Sequence, residues 1–224
     1  MSVLTAREGY ALWAAHYEQE TVVSHLENET VAALHVATAA CALLDVGCGT
    51  ARRLRETNAA IAIGVDLSLD MLAAAKDART LVVADVCALP LAECAFDIVW
   101  CRLMIGHVYD VVAAYAELSR VCVPGGRVIV TDIAPEAIAA GHRRTFVDAD
   151  GVPRELEHFV HDDLAHQRAA RAVGLHVERH VMGHVGPTVR HYYEEAGRLS
   201  AYTAQFGSPL VAARLLRKSE GSER

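Results

Sequence analysis

Residues 43–51 read LLDVGCGTA, a short apolar run that reaches Asp45 and passes directly into a turn built on Gly47 and Gly49. Apolar runs of this length are typical of strands buried in a parallel sheet. Glycine lets the backbone approach a ligand closely before the next helix begins. The stretch therefore predicts a buried strand with a ligand-binding turn at its carboxyl end.

Similar apolar runs follow and alternate with segments of helical spacing. Together with residues 42–46, the predicted strands are 61–66, 81–85, 96–100, 127–132, 175–182 and 209–217. Strands that alternate with helices imply right-handed crossovers and a parallel sheet covered by helices on both faces. We therefore expect an α/β fold built around one open sheet.

Asp45, Asp66 and Asp85 each stand at the end of one of the first three strands. Ligands of open parallel sheets bind beyond the carboxyl ends of the strands, so these carboxylates are predicted to share one rim. Aspartate at such a position also suits a turn or a helix cap. Three aspartates at equivalent strand ends favour a binding site. Asp66 lies about 20 residues beyond the glycine turn, where an acid suits the two hydroxyls of a ribose.

The glycine turn lacks the features of a phosphate-binding loop. Arg52 stands at the third glycine position, and no Gly-Lys-Ser/Thr follows. Asp45 would also repel a pyrophosphate, because two like charges about 4 Å apart cost about 4 kcal/mol at an effective dielectric constant of 20. These residues favour a nucleoside that carries a cationic group and no phosphate, a description that S-adenosylmethionine fits.

The chain resembles the class I S-adenosylmethionine-dependent methyltransferases over about residues 40–217. The matching segments are LLDVGCGTA (43–51), GVDLS (64–68), VVADVCALPLAECAFDIVWC (82–101) and LSRVCVPGGRVIVTDI (118–133). The resemblance implies S-adenosylmethionine as the cofactor. It also implies a doubly wound, Rossmann-like, seven-stranded and mostly parallel sheet with an antiparallel last strand and helices on both faces. Ala51 stands where the family often has glycine.

By position, the resemblance assigns one set of residues to the cofactor. They are Asp45, Gly47, Cys48 and Gly49 at the methionine end, Asp66 at the ribose, Leu67 under the adenine, Asp85 and Val86 at the adenine amino group, and Arg102 beside the methionine moiety.

Methyl transfer from a sulfonium is an in-line displacement, which an enzyme promotes mainly by holding the acceptor and the methyl group in attack geometry. A base is needed only where the acceptor must lose a proton. His107, in MIGHVYD after the fourth strand, is the candidate polar residue near the methyl group, because related proteins often place histidine there. The alternative is a structural histidine bonded to the backbone.

The resemblance also divides the chain into regions. We expect an N-terminal helical lid over residues 1–40 and a methyltransferase domain over residues 41–217, followed by a tail over residues 218–224. Residues 133–160 form a polar, glycine-bearing insertion on the substrate side. Asn28 is the predicted cap of the second helix in the lid.

The substrate pocket is expected to draw on the lid, the insertion and the predicted helix over residues 190–205. The candidates are Tyr17, His142, Tyr192 and Tyr193. Tyr10, Trp13, His16 and Tyr17 share one face of the first helix, for which packing onto the core is the alternative role. Arg143 and Arg144 suit an acidic acceptor, although such a pair also suits a solvated surface.

The composition of the chain limits the classes of partner that it is expected to bind. The 21 Lys and Arg against 28 Asp and Glu give a net charge of −7, which disfavours a nucleic-acid partner. The absence of a secretory leader or of about 18 consecutive apolar residues predicts a cytoplasmic protein without a membrane partner. The expected partner is a small-molecule acceptor. The apolar faces of the first helices suit either a lid or the interface of a homodimer.

A metal site is not expected. His176, His180 and His184 would share a face on a helix, but the segment alternates as a strand, in which neighbouring pairs lie about 13 Å apart. Loops can bring His158 and its neighbours together, so these histidines are less easily excluded. Two other functions remain open: a binding or scaffold protein that uses the cofactor pocket without methyl transfer, and a methyltransferase that acts on macromolecules.

Overall fold

The computed structural model describes residues 3–76 and 80–220, and this part of the chain forms two sheets. The strands are β1 (Val3–Leu4), β2 (Ala42–Val46), β3 (Ile61–Asp66), β4 (Thr80–Val83), β5 (Phe96–Arg102), β6 (Cys122–Ile133), β7 (Thr145–Val147), β8 (Pro153–Leu156), β9 (Leu175–His184) and β10 (Pro209–Lys218). The helices are α1 (Ala6–Trp13), α2 (Val22–Ala32), α3 (Arg52–Arg55), α4 (Leu69–Ala73), α5 (Val111–Val121), α6 (Pro135–Ala139), α7 (Asp163–Ala172), α8 (Arg190–Glu195) and α9 (Leu199–Gln205). Short 3₁₀ turns are formed by Ala14–His16, Ile105–His107 and Pro187–Val189.

The larger sheet has seven strands in the order β4-β3-β2-β5-β6-β10-β9. Strands β2 to β6 pair in parallel, whereas β10 is antiparallel to both β6 and β9. The chain order reverses at β2, so β2 and β5 flank the switch point at which open α/β sheets bind ligands. The predicted α/β, doubly wound, Rossmann-like sheet with an antiparallel last strand is confirmed.

Alternate residues of the central strand build the core on both faces of this sheet. Leu44 and Val46 of β2 pack with Tyr115 of α5, whereas Leu43 packs on the other face with Leu54 of α3. Because successive side chains of a strand point to opposite faces, the continuous apolar run of β2 is buried on both. This double burial fixes the strand whose end carries the glycine turn.

The N-terminal helices differ in their bounds from the prediction. Helix α1 begins at Ala6 after Thr5, and α2 begins at Val22 after Thr21; each threonine caps its helix through its hydroxyl. The prediction of Asn28 as a cap is wrong, because Asn28 lies inside α2. Its amide oxygen accepts a hydrogen bond of 2.9 Å from Arg102.

Two further predictions are corrected. The segment 190–205 is not one helix but two, α8 and α9, separated at Gly197, whose φ of +64° suits glycine and ends a helix. The insertion over residues 133–160, to which the sequence assigned no strand, contains β7 and β8. Strand β8 pairs with β1 as well as with β7, so a small second sheet joins the N-terminus to the insertion.

The predicted tail begins one residue too early. Lys218 is the last residue of β10, and its ammonium group donates hydrogen bonds of 2.8 Å to the carbonyl oxygens of Ser119 and Cys122. Residues 221–224 of that tail lie outside the described part of the chain.

Two kinds of feature are absent from the described residues. Over 3–76 and 80–220, no helix has the length and apolar character that crossing a membrane requires. The same residues contain no group of three His, Cys, Asp or Glu side chains placed to hold a metal ion. His176, His180 and His184 lie along β9, so the strand predicted for this segment is confirmed.

Candidate functional site

A cavity of about 320 Å³, the first cavity, opens beyond the carboxyl ends of β2, β3, β4 and β5. Its wall contains most of the residues to which the sequence assigns a cofactor role, together with two further candidates. These residues are Gly47, Gly49, Asp66, Leu67, Asp85, Val86 and Arg102, with Tyr17 and His107. The cavity therefore lies at the switch point of the sheet, where the fold is expected to bind a ligand.

The glycine turn presents bare backbone to this cavity. Gly47 has a φ of +75°, and a Cβ atom there would collide with the side chain of Met104. The amide groups of Gly47 and Cys48 donate to the carbonyl oxygen of Val65 at 2.7 and 3.0 Å, which ties the turn to β3. Ala51 adopts a φ of +56°, a conformation that glycine takes more readily. The turn is thus held at the cavity wall, with the side chain of Met104 packed against it.

Asp66 both supports the turn and faces the cavity. Its Oδ2 accepts a hydrogen bond of 2.8 Å from the amide of Gly49, and its Oδ1 accepts one of 2.8 Å from the amide of Ser68. Burial raises the pKa of Asp66, whereas these amide donors oppose the rise. Each carboxylate oxygen keeps a further lone pair, so Asp66 can accept hydrogen bonds from a bound diol.

The far side of the first cavity combines an acid with apolar surface. Asp85 is exposed, and its Oδ1 accepts a 2.8 Å hydrogen bond from the amide of Cys87. Leu67 is 47% exposed, while Val86 is buried. The exposed side chain of Leu67 can contact the face of a nucleobase. The free lone pairs of Asp85 can accept hydrogen bonds from the edge of that nucleobase.

Asp45 lies beneath the turn rather than in the cavity wall. It is fully buried, and neither of its carboxylate oxygens has a hydrogen-bond partner in the described part of the chain. Burial raises its pKa to about 6, although the nearby Arg53 and Arg102 act to lower it. A buried carboxylate without donors is costly, so this position holds a negative charge that the described residues do not satisfy.

Arg102 lines the first cavity, but its guanidinium is held by a residue that the sequence did not reveal. Its Nε and Nη2 donate to the two oxygens of Glu27, both at 2.8 Å. Fully buried Glu27 also accepts from Arg53 at 3.1 Å and from Thr131 at 2.8 Å. Burial raises the pKa of Glu27, but Arg102 and Arg53 outweigh burial and bring it down to about 2.

His107 is half-buried, and both of its ring nitrogens are hydrogen-bonded. Its Nδ1 lies 2.8 Å from the carbonyl oxygen of Glu157, which can only accept, so Nδ1 carries the proton. Its Nε2 therefore accepts from the hydroxyl of Tyr10 at 3.0 Å, and that hydroxyl accepts in turn from Arg144 at 2.7 Å. Burial, followed by the charge of Arg144, lowers the pKa of His107 to about 3.

A larger cavity of about 770 Å³, the second cavity, adjoins the first, and Tyr17 and Leu103 line both. Its wall combines the N-terminal region, the insertion and α8. It contains Cys48 and the candidate substrate residues His142, Tyr192 and Tyr193. Cys48 therefore contributes to the second cavity and not to the first, where the resemblance had assigned it.

The tyrosine hydroxyls of α8 are already bonded within the protein. Tyr192 donates to Glu20 at 2.6 Å, and burial together with Glu20 raises its pKa to about 12. Tyr193 donates to the side-chain oxygen of Gln205 at 2.7 Å. These contacts hold α8 against the N-terminal region and α9.

A family model and a curated protein each match part of the chain. Residues 44–130 match the family model of a methyltransferase domain. Over 107 residues the chain is 37% identical to a malonyl-[acyl-carrier protein] O-methyltransferase of Pseudescherichia vulneris, an alignment that covers 45% of this chain and 42% of that protein. The chain thus spans less than half the length of this curated relative.

Two solved structures share the fold over most of the chain. An S-adenosylmethionine dependent methyltransferase from Mesorhizobium loti has a TM-score of 0.65 at 19% identity and covers 86% of this chain and 98% of its own. The [4+2]-cyclase SpnF has a TM-score of 0.70 at 18% identity and covers 99% of both chains. The chain is thus similar to methyltransferases in the domain over residues 44–130, and it shares the fold of an S-adenosylmethionine dependent methyltransferase over most of its length.

Proposed function

We propose that the chain binds S-adenosylmethionine in the first cavity and transfers its methyl group to a small-molecule acceptor in the second cavity. The observation that carries the proposal is that Asp66, at the end of β3, and Asp85, two residues beyond β4, line the same cavity as the glycine turn. Asp66 offers acceptors for a ribose diol, Asp85 for an amino group, and Leu67 an apolar surface for a base.

The charge and shape of the site fit this cofactor. Asp45 puts an unsatisfied negative charge beneath the turn, which suits a ligand with cationic groups and opposes a phosphate. Gly47 lets the side chain of Met104, another residue of the cavity wall, pack directly against the backbone of the turn. When bound, S-adenosylmethionine supplies a methyl group on a positively charged sulfur, so the protein needs no nucleophile of its own.

The proposal also gives each region of the chain a role. Residues 1–40 act as a lid, residues 41–217 form the methyltransferase domain, and residues 133–160 supply part of the acceptor site. This division is supported by Tyr17, which lines both cavities, and by His142, which lines the second.

His107 acts in this proposal by positioning Tyr10. A pKa of about 3 makes its imidazole a weak base, which disfavours a role as general base in the ligand-free protein. Its Nε2 instead fixes the hydroxyl of Tyr10 in the wall of the first cavity. Methyl transfer would then be driven mainly by the proximity and orientation of the two ligands.

A second candidate function is supported by the cyclase that shares the fold. Since SpnF matches 99% of both chains, the same architecture occurs in a protein whose name describes a cyclase. Under this alternative the cavities bind ligands, but no methyl group is transferred.

The test is release of S-adenosylhomocysteine from S-adenosylmethionine in the presence of small hydroxyl, amino, thiol and carboxylate acceptors. We expect release that depends on one class of acceptor, is lost in Asp66→Ala and is retained in Asp70→Ala, a change at an exposed residue outside both cavities. Cofactor binding without release for every acceptor would contradict methyl transfer and favour the second candidate.

A further inference from the structure

The second cavity has a positive wall in a chain of negative net charge. Its arginines outnumber its acids, with Arg52, Arg53, Arg143, Arg144 and Arg198 against Glu20 and Glu195. His142 does not add to this charge at neutral pH, because burial and Arg144 lower its pKa. Arg53 is paired with Glu27 behind the wall, and even without it the wall has two more arginines than acids, whereas the whole chain has a net charge of −7.

Arg144 is the least satisfied of these arginines. Its one hydrogen-bond partner in the described part of the chain is the neutral hydroxyl of Tyr10, which accepts from Nη2 at 2.7 Å. Its Nε and Nη1 are shut off from water and have no partner there. Three N–H groups of a charged guanidinium are therefore unpaired, which is costly unless an acceptor completes them.

The neighbouring Arg143 differs from Arg144 in its exposure and in its hydrogen-bond partners. Its side chain is 54% exposed, lies 3.9 Å from Glu155, and donates to the carbonyl oxygens of Ile138 and His142 at 3.3 and 2.8 Å. Adjacent arginines in one cavity wall thus provide a satisfied cation and an unsatisfied one. The unpaired N–H groups at Arg144 are not a general consequence of an arginine-rich segment.

Arg144 also lies at the boundary between the cavities. It lines the second cavity, while Tyr10, to which it is bonded, lines the first. The rings of Tyr10 and Tyr17 are 5.7 Å apart, and Tyr17 belongs to both walls. An anion bound to Arg144 would therefore lie on the side of the second cavity that adjoins the proposed cofactor.

We infer that the methyl acceptor carries an oxyanion group, a carboxylate or a phosphate, and that Arg144 binds this group at the boundary of the two cavities. The inference rests on the proposed function, since it names the class of acceptor for that site. The charge of Arg144 would attract the oxyanion, and a shift of its side chain on binding would expose the three unpaired N–H groups for charge-assisted hydrogen bonds.

The experiment is a calorimetric titration of the full chain with glutarate, with inorganic phosphate and with neutral dimethyl glutarate, each in the presence of S-adenosylhomocysteine. The variants are Arg144→Gln and the control Arg190→Gln, whose side chain is 57% exposed and lies outside both cavities. We expect one of the two oxyanions to bind, and Arg144→Gln to weaken its binding at least about tenfold, as the loss of hydrogen bonds to a charged group implies. Arg190→Gln should change the affinity less than about threefold, as is usual for an exposed ion pair.

Comparison of glutarate with phosphate identifies which oxyanion the site takes. Equal binding to wild type and Arg144→Gln would overturn the inference, as would binding of dimethyl glutarate as tight as that of glutarate, or no binding of either oxyanion. In the wild-type protein, the Nε–H resonance of Arg144 should shift on addition of the bound oxyanion, and an unchanged resonance would contradict its role even if Arg144→Gln does not fold. Oxyanion binding through Arg144 without any binding of S-adenosylhomocysteine would overturn the proposed function and leave the anion site standing.

Discussion

The region behind Arg102 and the region beneath the glycine turn each contain a fully buried carboxylate. The two carboxylates differ in their hydrogen-bond partners and in the direction of their pKa shifts. Glu27 of α2 accepts hydrogen bonds from Arg102, Arg53 and Thr131, and its pKa lies at about 2. Asp45 of β2 has no hydrogen-bond partner in the described residues, and its pKa is raised to about 6, although it feels the same two arginines.

This difference separates a contact that completes the fold from a charge left for a ligand. Glu27 joins the N-terminal helix α2 to the ends of β5 and β6, so its partners are all inside the protein. Asp45 lies under the backbone that faces the first cavity, so a cationic ligand is the partner its position suits. Substitutions at these sites should therefore have opposite effects on the ligand-free protein.

The largest effect is expected at Glu27. Glu27→Gln should lower the free energy of unfolding by about 3–5 kcal/mol, because it leaves the buried Arg102 and Arg53 without their carboxylate. Urea denaturation measures the change. Glu29→Gln on the same helix is the matched control, since the side chain of Glu29 is 46% exposed and should change stability by less than about 1 kcal/mol.

The pH dependence sharpens this result. The pKa of Glu27 falls from 4.5 to about 2 on folding, so its stabilisation is present above about pH 4.5 and is lost as the pH falls toward 2. The difference between wild type and Glu27→Gln should shrink over that window. Equal stabilities of Glu27→Gln and Glu29→Gln at pH 7 would contradict the assignment of Glu27 as a structural partner.

At Asp45, substitution should change the free energy of unfolding in the opposite direction. Its pKa rises from 3.8 to about 6 on folding, so the ionised form is penalised by up to about 3 kcal/mol above pH 6. Asp45→Asn should therefore raise the free energy of unfolding of the ligand-free protein by roughly 1–3 kcal/mol at pH 8 and should have no such effect below about pH 4. Denaturation at the two pH values measures this.

The same substitution should weaken the binding of S-adenosylmethionine, because it removes the negative charge beneath the turn. A stabilised variant with weaker ligand binding is the expected result of replacing a charge kept for function. If Asp45→Asn destabilised the protein equally at pH 4 and pH 8, the contrast with Glu27 would be lost.

A smaller effect, on turnover, is expected at His107. His107→Ala should lower turnover at least about tenfold, which corresponds to about 1.4 kcal/mol, with the affinity for S-adenosylhomocysteine retained. Since His107 is argued to act through Tyr10, Tyr10→Phe should give a similar loss and the double variant little further loss. The turnover of wild type should also show no His107 titration between pH 6 and 8, because its pKa lies at about 3. Unchanged turnover in His107→Ala would remove its positioning role.

Local sequence pattern was sufficient for the sheet and for one side of the site. Continuous apolar runs predict the strand that contains Asp45 and the strand that ends at Asp66. The glycine turn directly follows the first of these strands. The topology then brings these strand ends together without any further information. The small sheet of β1, β8 and β7 was missed because its strands are short, although Asp150-Gly151 between β7 and β8 is a hairpin signal.

The remaining contacts of the site depend on distant parts of the chain. Glu27 lies 75 residues from Arg102, and Tyr10 lies 97 residues from His107 and 134 from Arg144. No helical or strand period connects such residues, so the sequence could mark Tyr10 and Arg144 as candidates but could not pair them. For the same reason, the sequence could not predict that Glu27 is hydrogen-bonded and that Asp45 is not.

The most direct test of the account is a calorimetric titration of purified, dialysed protein with S-adenosylmethionine and S-adenosylhomocysteine, repeated on Asp66→Ala and Asp70→Ala. The account predicts micromolar binding of both ligands to the wild type and to Asp70→Ala, and loss of that binding in Asp66→Ala, whose carboxylate faces the first cavity. Binding to Asp66→Ala as tight as to the wild type, or no binding of either ligand to the wild type, would contradict it.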